Sequence, residues 1–236
     1  MASDWTSEDE RNFAEALKIL AQFKASLPGR VEAAKTSHKA KLPFFAACLR
    51  ECLLYRVTEL GQSACDATKD GKLVSAAILT RAVLETVALL VLLDQRVREA
   101  VAESRQIKAL DDLVSRALVG CRNKATPLEA INIRTILEHA TKRYDGLAQI
   151  YDDLSEIAHP NWGGLLGAYG TLNEDDRLYE LGESKVPLPM ILIALNIALQ
   201  VFDHTYNPMV PFLHQLVDVC DQALGQAGGD STTKAK

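Results

Sequence analysis

A chain of 236 residues suits one large domain or two small ones, and its 48% hydrophobic content is ample for a buried core. The net charge of −5 excludes an extended basic nucleic-acid surface, although it leaves room for a local basic cleft. Only 6% of the residues are aromatic while Ala and Leu are abundant, which favours helices over sheets.

The first third of the chain predicts two helices. Ser7 and Glu10 have the spacing of a capping box, so a helix should begin there and end near Leu27. Residues 31–41 are polar and basic and fit a short helix or a linker. Pro43 suits the first turn of a long helix, which should end at Gly71 because glycine readily takes the left-handed cap conformation.

Residues 73–93 predict the central helix of the fold. All but five of these residues are apolar, and they cover every side of a helical period. Arg81 and Glu85 interrupt the run one helical turn apart, where the two side chains can pair. Charges at that depth would be expensive in a bilayer, and the apolar run after Glu85 is too short to span one. We therefore expect a buried helix of a soluble protein rather than a membrane span.

Three further helices are predicted downstream. Residues 107–119 have the period of a helix with one buried stripe. Thr126 and Glu129 form another capping-box pattern, so a helix should run from there to about Arg143. Residues 147–158 form one more amphipathic helix, which ends where a histidine meets a proline.

The last part of the chain changes character twice. Residues 161–186 lack a helical period and predict an irregular loop or a small hairpin, with residues 168–171 facing residues 179–182. Residues 187–203 form a second strongly apolar helix, and two prolines then interrupt the chain before a final helix. The prediction is an all-α fold, a single bundle of about 7–9 helices over residues 1–225, with a disordered tail at residues 226–236.

The cysteine pattern gives no disulfide framework and no metal site. Five cysteines are an odd number without a CxxC pair, and the N-terminus lacks the apolar segment of a signal peptide. Cys48 and Cys52 lie one turn apart, yet buried thiols explain them more simply than a metal pair. We expect no metal and no cofactor, and a cytoplasmic location.

Candidate site residues cluster near the end of the helix that precedes the irregular segment. Tyr151, Ser155 and His159 follow at four-residue spacing, so one helix face presents a phenol, a hydroxyl and an imidazole. Asn161 and Trp162 come next in the chain and are further binding candidates. A purely structural interpretation stays open, in which His159 only caps its helix.

The charged pair of the central helix has two interpretations as well. Arg81 and Glu85 could simply hold helices in register, as buried ion pairs do in other proteins. However, a buried arginine cannot lose its charge and must meet acceptors. We therefore expect Arg81, Glu85 and His159 to come together, with Tyr151 or Ser155 nearby and with a hydrogen bond from His159 to the Glu85 carboxylate.

These motifs resemble a known family. An Arg-x-x-x-Glu in an Ala/Leu-rich helix, followed far downstream by Tyr-x-x-x-Ser-Glu-x-x-His-Pro, is similar to DUF5677, a family of uncharacterised bacterial helical proteins. A looser resemblance connects the chain with the HEPN superfamily, and it covers about residues 73–170. The resemblance implies a helical bundle, often dimeric, in a toxin–antitoxin, defence or stress module.

The resemblance also implies a chemistry. Active HEPN proteins are metal-independent ribonucleases, similar to one another in an Arg-x4–6-His motif that acts on the RNA 2′-hydroxyl and phosphate. In this chain the matching positions before His159 are Leu154, Asp153 and Asp152, and none is an arginine. Catalysis would then use His159 as acid and base and Arg81 as the cation that holds the phosphate.

Three classes of function follow from the sequence. The first is a HEPN-like protein that binds or cleaves RNA. The second is a catalytically inactive bundle that binds a partner protein. The third is a small-molecule binder, with its pocket between the central helix and residues 162–169. The resemblance further suggests a homodimer.

Overall fold

The structure is a computed structural model that describes residues 5–37, 39–175 and 177–230. Within these residues, eight helices of nine residues or more and two of four residues are joined by short connections and one small hairpin. In chain order the elements are α1 Ser7–Ser26, α2 Ala33–Thr36, α3 Lys41–Lys69, α4 Leu73–Ala102, α5 Ile107–Val119, α6 Ile133–Thr141, α7 Leu147–Ala158, α8 Leu166–Tyr169, β1 Gly170–Asn173, β2 Leu178–Leu181, α9 Leu188–Tyr206 and α10 Val210–Asp230. The predicted all-α fold is confirmed.

Helix α4 is the centre of the bundle, as its all-round apolar sequence predicts. Its leucines Leu84, Leu90 and Leu93 are at most 1% exposed, and they lie on different sides of the helix. The helix packs most extensively against α3 and α9, and then against α6 and α7. Because its neighbours surround it, an apolar surface that would otherwise face water on every side is buried.

Two segments are long and apolar enough to cross a membrane by length and composition alone. They are Leu73–Ala102 and Leu188–Gly225, and 67% and 56% of their apolar windows lie buried within the protein. This burial is consistent with a soluble protein whose core is formed by these helices.

Glycine and proline set the breaks between the long helices where the sequence predicts them. Gly71 has φ +72°, in the left-handed region, and Lys72 N donates to the Ala67 carbonyl to close the turn between α3 and α4. Pro208 lies in a short 3₁₀ turn, Asn207–Met209, between α9 and α10. Proline cannot donate a backbone hydrogen bond, so the continuous apolar segment divides there into two helices.

Two predicted helix starts differ from the structure. The first helix has its capping box one residue earlier, with Thr6 and Asp9 bonded reciprocally. The start predicted at Thr126 is wrong, because the Thr126 hydroxyl donates instead to the Val119 carbonyl at 2.6 Å and so helps to end α5. Helix α6 begins only at Ile133, where Asn132 Oδ1 accepts from the backbone N–H of Arg134 at 2.9 Å.

Strands β1 and β2 form the small hairpin predicted near residues 168–182. The strands are antiparallel, with Gly170 opposite Leu181 and Leu172 opposite Tyr179. Opposed residues share a face of a hairpin, and successive residues alternate between faces. One face therefore presents Leu172, Tyr179 and Leu181 without any charge, and the other presents Thr171, Asn173, Leu178 and Glu180.

The C-terminal helix is longer than the sequence suggests. Helix α10 continues to Asp230, five residues into the segment predicted as a tail, while residues 231–236 lie outside the described part of the chain.

The central position of α4 gives a first prediction. Leu84→Asp should prevent soluble folding, because it places an unpaired carboxylate where no solvent reaches, at a cost of several kcal/mol. Ile78→Asp on the same helix is the matched control, since Ile78 is 44% exposed. Soluble yield and circular dichroism report the outcome. A soluble, helical Leu84→Asp protein would contradict this placement of α4.

Candidate functional site

Arg81, Glu85 and Tyr151 meet where α7 packs on α4. Arg81 Nη2 donates to the Tyr151 hydroxyl at 2.9 Å, and that hydroxyl donates to Glu85 Oε1 at 3.2 Å. Arg81 Nε lies 3.4 Å from Glu85 Oε1, which closes a ring of three polar groups. The Arg81 guanidinium carbon is also 4.9 Å from the centre of the Tyr151 ring, within cation–π range.

The ring neutralises its own charges. The Arg81 and Glu85 side chains are 23% and 32% exposed, so the pair lies at the edge of the core rather than deep within it. Nε of Arg81 is itself buried and makes no directed hydrogen bond with a described residue, so the 3.4 Å contact is an ion pair only. Glu85 balances the charge of Arg81, and Tyr151 holds its guanidinium in place.

Ser155 and His159 continue along the same helix but do not join the ring. The Ser155 hydroxyl donates to the Tyr151 carbonyl at 2.7 Å, a bond within α7. His159 is the C-cap, and its backbone N–H donates to the Ser155 carbonyl at 3.0 Å. Its side chain is exposed and makes no hydrogen bond or ion pair with any described residue.

The hydrogen bond expected from His159 to the Glu85 carboxylate is therefore not formed. The Tyr151 hydroxyl donates to Glu85 in its place. Tyr151 is only 4% exposed, and its ring points from α7 towards α4. His159 lies two turns further along, where α7 ends and the chain reaches solvent. Of the predicted shared site, the structure brings together Arg81, Glu85 and Tyr151.

Asn161 and Trp162 lie in a tight turn after α7. Asn161 Nδ2 donates to Glu156 Oε2 at 2.8 Å, and its Oδ1 accepts from Gly164 N at 3.2 Å. A Cβ on Gly164 would lie 2.1 Å from the His159 carbonyl oxygen, so only glycine permits this turn to fold back on the helix end. Trp162 is 76% exposed, and thus presents most of its indole to solvent.

A second polar cluster lies further along α4. Asp94 is fully buried, and its Oδ2 accepts a hydrogen bond from Arg98 Nε at 2.8 Å. The same oxygen accepts from Nη1 of Arg143, a residue that lies just after α6. The Arg98 guanidinium also lies over the Phe212 ring, at 3.8 Å from the centre. Asp94 and Arg98 have the same four-residue spacing as Arg81 and Glu85, so this pair could have been predicted from the sequence. It was missed because it lies in a segment rich in charged residues, where most charges are exposed.

A third buried cluster connects α3 with the end of α9. Arg50 is 8% exposed and donates through Nε and Nη2 to the Tyr206 carbonyl, at 3.3 and 3.1 Å. Its guanidinium also pairs with Glu51, which accepts from the Tyr206 hydroxyl at 2.5 Å. Burial and the bond to Glu51 raise the pKa of Tyr206. Arg50, Glu51 and Tyr206 thus bond to one another, and we interpret this cluster as a structural one that holds α3 against α9.

Three openings lie near the candidate residues. A cleft of about 680 Å³ lies at the N-terminal end of α4, and of the loop predicted to form a small-molecule pocket, residues 162–169, it is lined by Tyr169 alone. A second cleft, of about 440 Å³, is lined by Tyr151 and by the α6 residues Arg134 and Thr141. A third, of about 420 Å³, lies between α4 and the end of α6 beside the Asp94 cluster. Among the described residues no three His, Cys, Asp or Glu side chains are grouped to hold a metal ion.

Comparison of the chain with family models, with characterised proteins and with solved structures gives no significant match.

The ring of Arg81, Glu85 and Tyr151 gives a second prediction. Tyr151→Phe should lower the free energy of unfolding by about 1–2 kcal/mol, because two hydrogen bonds to charged groups are lost. Urea unfolding followed by circular dichroism measures the change. In a double-mutant cycle with Glu85→Gln, the two substitutions should show a coupling energy of at least about 0.5 kcal/mol.

Two controls accompany this prediction. Tyr169→Phe removes the hydroxyl of a partly exposed tyrosine that makes no side-chain hydrogen bond with a described residue, and His159→Ala alters an exposed side chain. Each should change stability by no more than about 0.5 kcal/mol. If Tyr151→Phe were as mild as Tyr169→Phe, the hydroxyl bridge would contribute nothing to the fold.

Proposed function

We propose that this protein acts by binding rather than by catalysis, and that its binding surface associates with a second copy of the chain. The observation that supports the proposal is a concentration of exposed apolar side chains in the twenty residues from 162 to 181, which follow α7. We call these side chains the hairpin surface: Trp162, Leu165, Leu166, Tyr169, Leu172 and Leu181, with exposures of 76, 51, 50, 38, 57 and 75%.

Internal contacts hold this segment as one unit. The Tyr179 ring packs on Gly170, where a Cβ would lie 1.8 Å from the ring, and its hydroxyl donates to the Leu166 carbonyl at 2.7 Å. The Trp162 ring lies against Gly167 in the same way. Gly182 N donates to the Tyr169 carbonyl at 2.9 Å and ties the end of the hairpin to α8. The exposed side chains thus extend from an ordered framework.

The area of the hairpin surface supports an interface between proteins. Summed over these six residues, the exposed area is on the order of 700 Å². A stable interface of standard size buries about 800 Å² on each partner. The hairpin surface therefore has about the size that an interface between two proteins requires.

A second copy is the occupant that the chemistry favours. The hairpin face that bears Leu172, Tyr179 and Leu181 has no charged residue, and homodimer interfaces are the most apolar and charge-depleted class. The described sheet has only two strands, so each strand keeps one open edge, and a two-stranded hairpin is only marginally stable by itself. A symmetric pairing would bury the apolar face of both copies at once.

The geometry of Arg81 supports binding over ribonuclease chemistry. A cation that holds a phosphate needs a positive charge that the protein itself does not balance, whereas Arg81 is paired with Glu85 and bonded to Tyr151. We place the protein in the cytoplasm, where its five unpaired cysteines remain reduced.

Self-association gives the third prediction. Leu172→Thr combined with Leu181→Thr should raise the dimer dissociation constant by roughly 10- to 100-fold, because two leucines lose most of their burial. Threonine keeps the strand propensity, so the hairpin itself should persist. Leu178→Thr is the matched control, since Leu178 is 49% exposed on the opposite face of the same hairpin.

Sedimentation equilibrium and light scattering measure the association. We expect a dimer for the wild type and for Leu178→Thr at tens of micromolar, and a monomer for the double variant. A monomeric wild type at that concentration would overturn the choice of a second copy. A dimer that both variants leave unchanged would place the interface elsewhere.

A second candidate function is RNA binding or cleavage, as the HEPN resemblance implies. The observation that favours it is the exposed His159 side chain, which has no partner among the described residues and stands three positions before the exposed Trp162. An unengaged imidazole can transfer a proton, and an exposed indole can stack on an unpaired base.

RNA cleavage is the fourth prediction, and it tests this second candidate. If the candidate is right, pure protein should cleave mixed RNA equally with and without a chelator, and His159→Ala should remove the activity. His204→Ala is the matched control, because His204 is also exposed. Gel electrophoresis of the RNA shows the result. Intact RNA, or cleavage that survives His159→Ala, would exclude a nuclease centred on His159.

A further inference from the structure

A cleft between α4 and the end of α6 is lined by two matching sets of side chains. The set on α4 has the spacing i, i+3 and i+4, so its residues lie on one face of that helix, opposite the residues from α6 and the turn that follows it. The cleft has a volume of about 420 Å³, and its lining residues are Gln95, Arg98 and Glu99 from α4, and His139, Lys142 and Arg143 from α6 and the residues that follow it.

The carboxylates around this cleft are bonded to neighbouring donors, although Asp94 Oδ1 is buried without a hydrogen-bond partner among the described residues. Asp94 is fully buried and accepts from both Arg98 and Arg143. Glu99 accepts from Arg96 Nη1 at 2.7 Å and from Gln95 Nε2 at 2.8 Å. Two arginines therefore share one carboxylate, and a third pairs with the other, so the arginines alone leave one positive charge uncompensated.

The basic groups keep free donors. Arg98 and Arg143 each use one N–H on Asp94, and their side chains are 34% and 39% exposed. A guanidinium has five N–H groups, so most remain available. Lys142 is exposed and makes no hydrogen bond or ion pair with a described residue.

His139 lies among the charged groups of the cleft. Its Nδ1 is buried and has no hydrogen-bond partner among the described residues. Burial lowers the pKa of His139 below its ordinary 6.5, and Lys142 and Arg96 lower it further, by more than Glu99 and Glu138 raise it. Among the charged groups that act on the ring, the positive ones thus have the larger effect, which suits a cleft that binds an anion.

We propose that this cleft binds a phosphate-bearing small molecule. Arg98 and Arg143 offer the forked donors that suit phosphate oxygens, Lys142 adds a mobile ammonium group, and His139 adds a donor when it is protonated. The site does not involve Arg81, His159 or the hairpin surface, so it stands apart from the proposed binding function. Free phosphate and the phosphate of a nucleotide share this chemistry, and separate titrations distinguish them.

The test is a pH titration of the histidine ring signals by nuclear magnetic resonance, at constant ionic strength, which is the fifth prediction. The chain has five histidines, and His139→Gln identifies the relevant signal. Without anion, the pKa of His139 should lie below 6.5. A bound phosphate favours the imidazolium, so inorganic phosphate at millimolar concentration should raise that pKa in a saturable manner, and binding should be tighter at lower pH. No saturable change with inorganic phosphate, pyrophosphate or adenosine monophosphate would overturn the proposal.

A matched pair of lysine variants completes the experiment. Lys142→Met should weaken anion binding about tenfold, because one charge-assisted hydrogen bond is lost while the Asp94 cluster stays intact. Lys108→Met alters an exposed lysine on α5 outside the cleft and should leave affinity unchanged. Equal losses in the two variants, or none in Lys142→Met, would show that no defined site exists. If pyrophosphate or the nucleotide binds more tightly than inorganic phosphate, the ligand extends beyond one phosphate.

Discussion

The fold depends on the hydrogen bonds and ion pairs that neutralise the charged residues of one apolar helix. Helix α4 is apolar on all sides, and yet it carries Asp94 within the core and the pair Arg81 and Glu85 at the core's edge, where an unpaired charge is costly. Each of these charges is met by a group from the same side of the bundle, Tyr151 on α7 or Arg143 just after α6. Polar contacts therefore fix where α6 and α7 dock, while apolar packing against α3 and α9 supplies most of the burial.

This division explains which parts of the structure the sequence predicted. The hydrophobic period of residues 73–93 is a local property, and so are the left-handed glycine at Gly71 and the proline break near Pro208, and all three are confirmed. The start at Thr126 failed for a tertiary reason. A threonine hydroxyl can accept from a helix N-terminus or donate to a preceding carbonyl, and here the end of α5 at Val119 lies within reach.

The site was predictable in part for the same reason. The spacing of Arg81 and Glu85 predicts an ion pair that needs a third hydrogen-bonding partner. Tyr151 and His159 lie on one helix face, and either could be that partner. Sequence spacing does not decide which turn of α7 lies against α4. The structure places Tyr151 there, and two turns carry His159 to the exposed end of the helix. Whether a residue is buried between two helices, as Tyr151 is, or only caps a helix end, as His159 does, is determined when the helices pack together.

The same four-residue pairing of an acid and an arginine occurs twice on α4 and has two different electrostatic consequences. At Arg81 and Glu85 the third partner is a neutral phenol, so the charges cancel and the arginine is held in place. At Asp94 and Arg98 the third partner is another arginine, so a positive charge remains and free donors face a cleft. Because a ligand binds where charge and donors are left over, the second pairing is the better anion site. The motif that stands out in the sequence is thus the one that the fold neutralises.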